Sequence, residues 1–103
     1  MAHTKNGIMA QIWVAFGQGT GFTRVSQDAC LHLYALYYDA IRDELVQSWE
    51  EEAPQVLERI RAIGKLAASK AIDAGATAIS IDDVRASAAA VHRGSDTAWC
   101  PPA

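Results

Sequence analysis

Cysteine is scarce. Cys30 and Cys100 stand alone with no Cys-x-x-Cys pair, so the sequence provides no disulfide framework and no zinc ribbon, and its thiols are expected to be reduced, in a cytoplasm. Only three prolines and seven glycines interrupt the chain, and alanine is abundant, a composition that favours helix. No apolar run is long enough for a membrane. The longest, Ile8 to Phe16, falls well short of the roughly 20 residues a helical span needs. It follows only Lys5 and no small-residue cleavage site ends it, so no signal peptide is expected either. A basic excess is missing too. The formal net charge is −3 at pH 7 and the pI is near 5.5, which disfavours a protein whose main task is to grip phosphates.

What is present fits one small domain. Half of the 103 residues are apolar and a fifth are charged, ordinary for a globular chain. A chain of this length buries roughly 60–70% of its unfolded surface, enough for a thin core of its own. The expected fold is all-α, a small bundle of about four helices with a central antiparallel helix pair. It would occupy residues 1–103 as a single domain, with 1–6 and 95–103 as flexible tails.

The stretch Ser26 to Glu50 dominates this expectation. At about 100° per residue, Cys30, Tyr34, Tyr37, Tyr38, Ile41 and Leu45 share one face, and Ala29, Leu33, Leu36 and Ala40 form a second. Asp28, His32, Asp39, Arg42 and Asp43 make a polar strip between them. A helix that is apolar on two sides must sit between two surfaces, which predicts either the centre of a bundle or half of a dimer interface.

Around it the chain divides by its caps. Ile8, Met9, Ile12, Trp13 and Phe16 form a helical stripe; their alternation also admits a strand, but a helix fits better, with Gly17 as its C-cap. Gly17-Gln18-Gly19-Thr20-Gly21 then predicts a flexible turn, because the spacing matches neither Gly-x-Gly-x-x-Gly nor a P-loop. Phe22 to Val25 is extended, and Ser26 caps the next helix, with Asp28 complementing its dipole. Glu50, Glu51 and Glu52 suit a new helix start, and Pro54 suits its first position, which places the break near 50–53 and makes the two long helices antiparallel neighbours. Gly75 ends the helix that begins at Pro54. Ser80 and Asp83 form a capping box for a last helix that stops near His92. Helix, Gly-rich turn, short extended piece, Ser plus Asp, and helix again is written twice, in Ile8–Tyr34 and in Val56–Val91.

Few side chains suggest chemistry. Cys30, His32, His92 and Cys100 are the only soft metal ligands, and none pairs at the tight spacing zinc requires. Nothing local activates Cys100 as a nucleophile. Asp82 and Asp83 begin a helix, where carboxylates are stabilised without facing each other across a cleft. No cofactor, metal or catalytic residue is therefore expected, and the chain is read as a non-enzyme.

Two other groups suggest binding. Tyr34, Tyr37 and Tyr38, with Trp49 further along and Trp99 in the tail, form an aromatic set of the kind enriched at interaction hot spots, since three tyrosine hydroxyls fit poorly in a dry core. Asp39 to Glu52 holds six carboxylates against Arg42 alone, while Arg59 to Lys70 holds four cations and no acid, a pattern of solvated helix faces that attract each other.

Residues 62–99 resemble a segment of small bacteriophage proteins of helix-turn-helix or winged-helix type. Ala71, Gly75, Ile79, Ser80, Ile81, Asp82, Asp83, Val84, Arg85, Ala98 and Trp99 carry the resemblance. It implies an origin in a phage or other mobile element. In that pattern a further helix and wing follow the Ala-Trp; here Cys-Pro-Pro-Ala follows, so the element that would read DNA is expected to be absent.

Two functions follow as expectations. The first is a small helical interaction protein, a phage or mobile-element accessory or inhibitor, that binds another protein or a second copy of itself as a homodimer, with Tyr34, Tyr37, Tyr38, Trp49 and Trp99 at the contact. The alternative is a degenerate helix-turn-helix that binds nucleic acid through Arg59, Arg61, Lys65, Lys70, Arg85 and Arg93.

Overall fold

The structure, a computed structural model, describes residues 4–21 and 23–93. The fold is a small all-α bundle of five helices: α1 (Lys5–Thr20), α2 (Gln27–Ala40), α3 (Asp43–Gln47), α4 (Trp49–Asp73) and α5 (Ile81–Arg93). Three of the four long helices, α1, α2 and α5, begin on a cap that the sequence provides, whereas α4 has no side-chain cap bond. The Thr4 hydroxyl accepts from the Gly7 N–H at 3.0 Å, and the Ser26 hydroxyl accepts from Ala29 at 3.1 Å. Ser80 and Asp83 exchange side-chain-to-backbone hydrogen bonds at 3.0 and 3.2 Å, the capping box expected from the sequence. At the other ends Gly21 and Gly75 take positive φ of 61° and 70°, the left-handed turn that glycine adopts without steric penalty.

The helix expected over 26–50 is broken. Ile41 and Arg42 are extended, with ψ of 112° and 164°. Spacing explains why. Ala29, Leu33, Tyr37, Ile41, Leu45 and Trp49 are all buried, and they recur every fourth residue. In one unbroken helix each step of four drifts about 40° around the axis, so Trp49 would point about 200° away from Ala29. The break resets the phase and returns Ile41, Leu45 and Trp49 to the core. Charge acts in the same direction. Asp43 and Glu44 oppose the C-terminal dipole of a continuing helix but stabilise the first turn of a new one.

The α4 helix therefore begins at Trp49, ahead of the break expected at 50–53. Glu50, Glu51 and Glu52 fill its first turn, as their charge requires. Pro54 is not at the first position but inside the helix, where it withholds the N–H that would reach back to the preceding turn. The α1 helix is also longer than its glycines suggest. It runs through Gly17 and Gly19 to Thr20, so the expected turn at Gly17–Gly21 is helical up to its last residue.

The reason is a close crossing. A Cβ on Gly19 would lie 2.2 Å from the Arg61 carbonyl oxygen, and one on Gly64 would lie 2.6 Å from that of Phe16. These two glycines let α1 and α4 touch backbone to backbone, the closest association in the bundle. Trp49 Nε1 donates to Gln11 Oε1 at 3.2 Å, and Arg61 Nε donates to Gln18 Oε1 at 2.9 Å. The contacts climb both helices in the same direction, so α1 and α4 run parallel. The antiparallel neighbours are the two hairpins, α1 with α2 and α4 with α5, rather than a helix over 26–50 against one over 54–74.

The two hairpins are joined at their turns. Val25 and Ile79 form a parallel bridge, in which Ser26 N–H donates to the Ile79 carbonyl at 2.9 Å and Ile79 N–H donates to that of Arg24 at 2.7 Å. Gly21, Thr23, Val25, Ser26 and Asp28 occupy the same relative positions as Gly75, Thr77, Ile79, Ser80 and Asp82. The echo in the sequence is thus a pair of similar hairpins set side by side, with their extended links paired. Ile8, Ile12, Phe16, Leu33, Tyr37, Trp49, Ile60, Ile63, Ile79 and Val84 fill the space between them.

Candidate interaction surface

The α2 helix is buried on one stripe only, Ala29, Leu33 and Tyr37. Of the two apolar flanks expected to be covered, the one with Ala29 and Leu33 faces the core, while the one with Cys30, Tyr34 and Tyr38 is only partly covered in the single chain. Gln27, Leu31, Tyr34 and Tyr38 follow one another along that outer side, at helical spacing. Leu31 is 61% exposed and Tyr34 42%, and Tyr38 and Cys30 are half-buried. Tyr34 and Tyr38 stack with ring centroids 5.1 Å apart and planes 15° from parallel. The Lys5 ammonium from the start of α1 lies 4.5 Å from the Tyr38 ring centroid, a cation–π contact that fixes the near end of the stripe.

Of the expected aromatic contact, then, Tyr34 and Tyr38 are on the surface and Tyr37 and Trp49 are not. Tyr37 and Trp49 are two of the largest fully buried side chains. They stabilise the monomer and are out of reach of a partner. Tyr37 lies about 60° from Tyr34 and about 100° from Tyr38 around the helix axis, on the side of Leu33, so it enters the buried stripe while the other two stay outside it. Trp99 lies outside the described residues.

A second exposed strip adjoins the first, and no candidate residue from the sequence reading marks it. The outward side of α1 carries Ala10, Trp13, Val14 and Gly17, with Val14 62% exposed. No charged residue occurs between Lys5 and Arg24, so beyond Lys5 the outward side of α1 carries only apolar and neutral polar residues. That absence of charge was the signal available in the sequence. Val14 stands as a ridge between two grooves. One, of about 470 Å³, lies toward α2 and is lined by Trp13, Gly17, Val25 and Cys30. The other, of about 350 Å³, lies toward α4 and is lined by Ala10, Gln18, Leu57 and Arg61. Ile72, 64% exposed, is the remaining large exposed apolar residue among the described residues and lies elsewhere, on α4.

The cations expected to grip phosphates do not form a stripe. On α4, Arg59 and Lys70 project on one side, while Arg61 and Lys65 project roughly 160–240° around the helix from them. Arg61 is already held by Gln18 and, at 3.3 Å, by Glu58. Arg85 lies against α2, where partial burial and its guanidinium together hold the His32 imidazole below its usual range. Arg93 ends α5. The α4–α5 turn, residues 74–80, is longer than a helix-turn-helix connection and is tied to the other hairpin through Ile79. Among the described residues no group of three or more His, Cys, Asp or Glu is placed to hold a metal ion, and no helix is long and apolar enough to cross a membrane.

Comparison with protein-family models, with curated proteins and with solved structures gives no match to this chain.

Proposed function

We infer that this protein works by binding rather than by catalysis, as a small helical module whose working surface is the outer side of α1 and α2. The observation that carries this is the exposure of Val14, Leu31 and Tyr34 on adjoining helices. Single exposed apolar residues are ordinary, but a contiguous set across two elements marks an interaction site. The Tyr34–Tyr38 stack adds a rigid amphipathic anchor of the kind that dominates interface energetics. The partner is another protein or a second copy of the chain. The free Cys30 thiol suits a reducing cytoplasm, and the resemblance of residues 62–99 supports an accessory role in a phage or other mobile element.

Nucleic-acid binding by a degenerate helix-turn-helix has less support. It would need Arg59 and Lys70 to act together with Arg61 and Lys65, which diverge from them around α4, and with Arg85 and Arg93.

The test is native mass spectrometry on protein taken from its own cells, beside a Leu31→Glu, Tyr34→Glu variant. A complex that the variant loses is the expected result. A bare monomer in cells, with the variant indistinguishable from wild type, refutes an interaction function.

A further inference from the structure

We propose that Asn6 is a site of spontaneous covalent modification, deamidation through attack by the Gly7 backbone nitrogen, and that the Thr4 cap of α1 governs its rate. This modification does not depend on the binding function inferred above.

The dipeptide supplies the chemistry. Asparagine is among the thermolabile side chains, and it is most so before glycine, where no Cβ obstructs the attacking nitrogen. Asn6 is the only asparagine in the 103 residues, and Gly7 follows it. Both are exposed. In the reaction the Gly7 nitrogen forms a bond to Asn6 Cγ and loses its proton, and the side-chain nitrogen leaves as ammonia. A cyclic imide results. Water then adds to one of the two imide carbonyls, and the bond from that carbonyl to the Gly7 nitrogen breaks. Cleavage at Cγ gives aspartate. Cleavage at the main-chain carbonyl gives isoaspartate, whose chain runs on through the side-chain carbon. Nothing is oxidised or reduced, water is the only co-reactant, and either product adds one negative charge to the net −3.

The fold holds this pair in its unreactive form. Within α1 the Asn6 side chain tilts back toward the helix N-terminus, away from the nitrogen that follows it. That nitrogen is also engaged. Gly7 N–H is a first-turn donor with no carbonyl inside the helix to receive it, and it donates to the Thr4 hydroxyl at 3.0 Å. Ile8 N–H donates to the Thr4 carbonyl at 2.9 Å, closing a ring that passes through Asn6. Attack requires Asn6 to leave its helical conformation, which opens both bonds. Thr4 is itself exposed, and the two bonds lie at a helix end, where local opening has the smallest free energy. The cap hydroxyl is therefore a shallow gate on the reaction.

The two products act oppositely on the turn. Aspartate supplies a carboxylate to a first turn that has none, at the positive end of the helix dipole. Isoaspartate lengthens the backbone by one carbon inside the ring closed by Thr4 and Ile8, so the turn cannot reclose as a regular helix. Lys5 belongs to this turn, and its ammonium lies 4.5 Å from the Tyr38 ring centroid. The isoaspartate form alone releases that contact.

The experiment is incubation of the purified full chain near neutral pH, followed by intact mass and peptide mapping, beside a sample kept in urea. Each event raises the mass by about 1 Da. Mapping should place it at Asn6, in aspartate and isoaspartate forms, and the folded chain should convert more slowly than the urea sample. Thr4→Ala should convert about fivefold faster than wild type in buffer, the equivalent of about 1 kcal/mol for a lost cap, with an equal rate in urea and unchanged far-UV circular dichroism. Thr4→Ser keeps the cap hydroxyl and should match wild type. A folded chain that still has its original mass when the urea sample has fully converted overturns the site. Thr4→Ala that converts no faster than wild type, or a wild type as fast in buffer as in urea, overturns the control by the cap.

Discussion

Replacing Gly19 by alanine tests the parallel crossing of α1 and α4. The new Cβ would lie 2.2 Å from the Arg61 carbonyl oxygen, 2.9 Å from its carbon and 3.0 Å from Arg61 Cα. All three are backbone atoms, so no side chain can swing aside. Ordinary contact requires α1 to withdraw by about 1 Å, and a gap of that size forfeits a quarter to a half of the dispersion energy of the atoms across it. Ile12, Phe16, Ile60 and Ile63 face one another at this crossing, all buried. At about 1.5–3 kcal/mol each, losing a quarter to a third of their contribution removes about 2–4 kcal/mol. Alanine returns about 1 kcal/mol of helix propensity. The net loss is about 1–3 kcal/mol, within the usual range for overpacking and a large share of a domain's stability of about 5–15 kcal/mol. Gly17 provides the control, because nothing lies within 4 Å of a Cβ built there. Gly17→Ala should therefore gain about 0.5–1 kcal/mol, measured at a dilution where the chain is monomeric. The assay is urea unfolding followed by circular dichroism and by tryptophan fluorescence, to which Trp49, buried beside α1, contributes. Gly64→Ala should also destabilise, and the double variant should lose less than the sum, since one separation relieves both clashes. Gly19→Ala that is as stable as Gly17→Ala would refute the backbone contact.

Other substitutions probe smaller features. Ser80→Ala removes one half of the capping box and should lower stability by about 1 kcal/mol, read as a fall in the urea midpoint; no change would mean the box is not formed in solution. Ser87 is fully buried with its hydroxyl unpartnered, so Ser87→Ala should raise stability by about 1 kcal/mol, and a loss in the same titration would show that the hydroxyl has a partner. His32 has a folded pKa below its ordinary value of 6.5, first through burial and then through Arg85. The unfolded chain thus binds this proton more readily, so the contribution of His32 to stability is intact above pH 6.5 and is lost as pH falls below it. His32→Gln should flatten that part of the pH dependence of the urea midpoint, and Arg85→Gln should raise the imidazole pKa seen by NMR; a wild-type profile in the first, or an unmoved resonance in the second, contradicts this.

Much of the bundle was legible because caps are local. Ser26, Ser80 with Asp83, and Gly75 each announce a helix end through bonds to residues a few positions away. The extended links and their repetition were visible for the same reason. The break at Ile41–Arg42 was not. Its cause is a phase drift that matters only once it is known which side of the chain holds the core. Glycine misled at Gly17–Gly21 because a turn and a tight helix crossing ask for the same residue, and only the partner at Gly64 distinguishes them. The site divided along similar lines. Tyr34 and Tyr38 were identifiable as surface aromatics, but that Tyr37 turns inward depends on which stripe of α2 meets the core, and that Trp49 does depends on where the helix breaks. The outer face of α1 was present in the sequence as eighteen residues without charge, Asn6 to Thr23, but Ile8, Ile12 and Phe16 on the other side of the helix account for the same apolar run through the core.

The bridge between Val25 and Ile79 has a consequence for the order in which the molecule assembles. Each hairpin closes over a short connection and can form early from neighbouring residues. The bridge joins points separated by about half the chain, so closing it costs about 2 kcal/mol more loop entropy than closing either turn. Its two hydrogen bonds therefore close only when the α1–α4 crossing brings the two hairpins together. Below that step the chain is a pair of loosely tethered hairpins, each with an apolar side temporarily in water, and protection of the Ser26 and Ile79 amides from solvent exchange marks the moment at which the halves become one body.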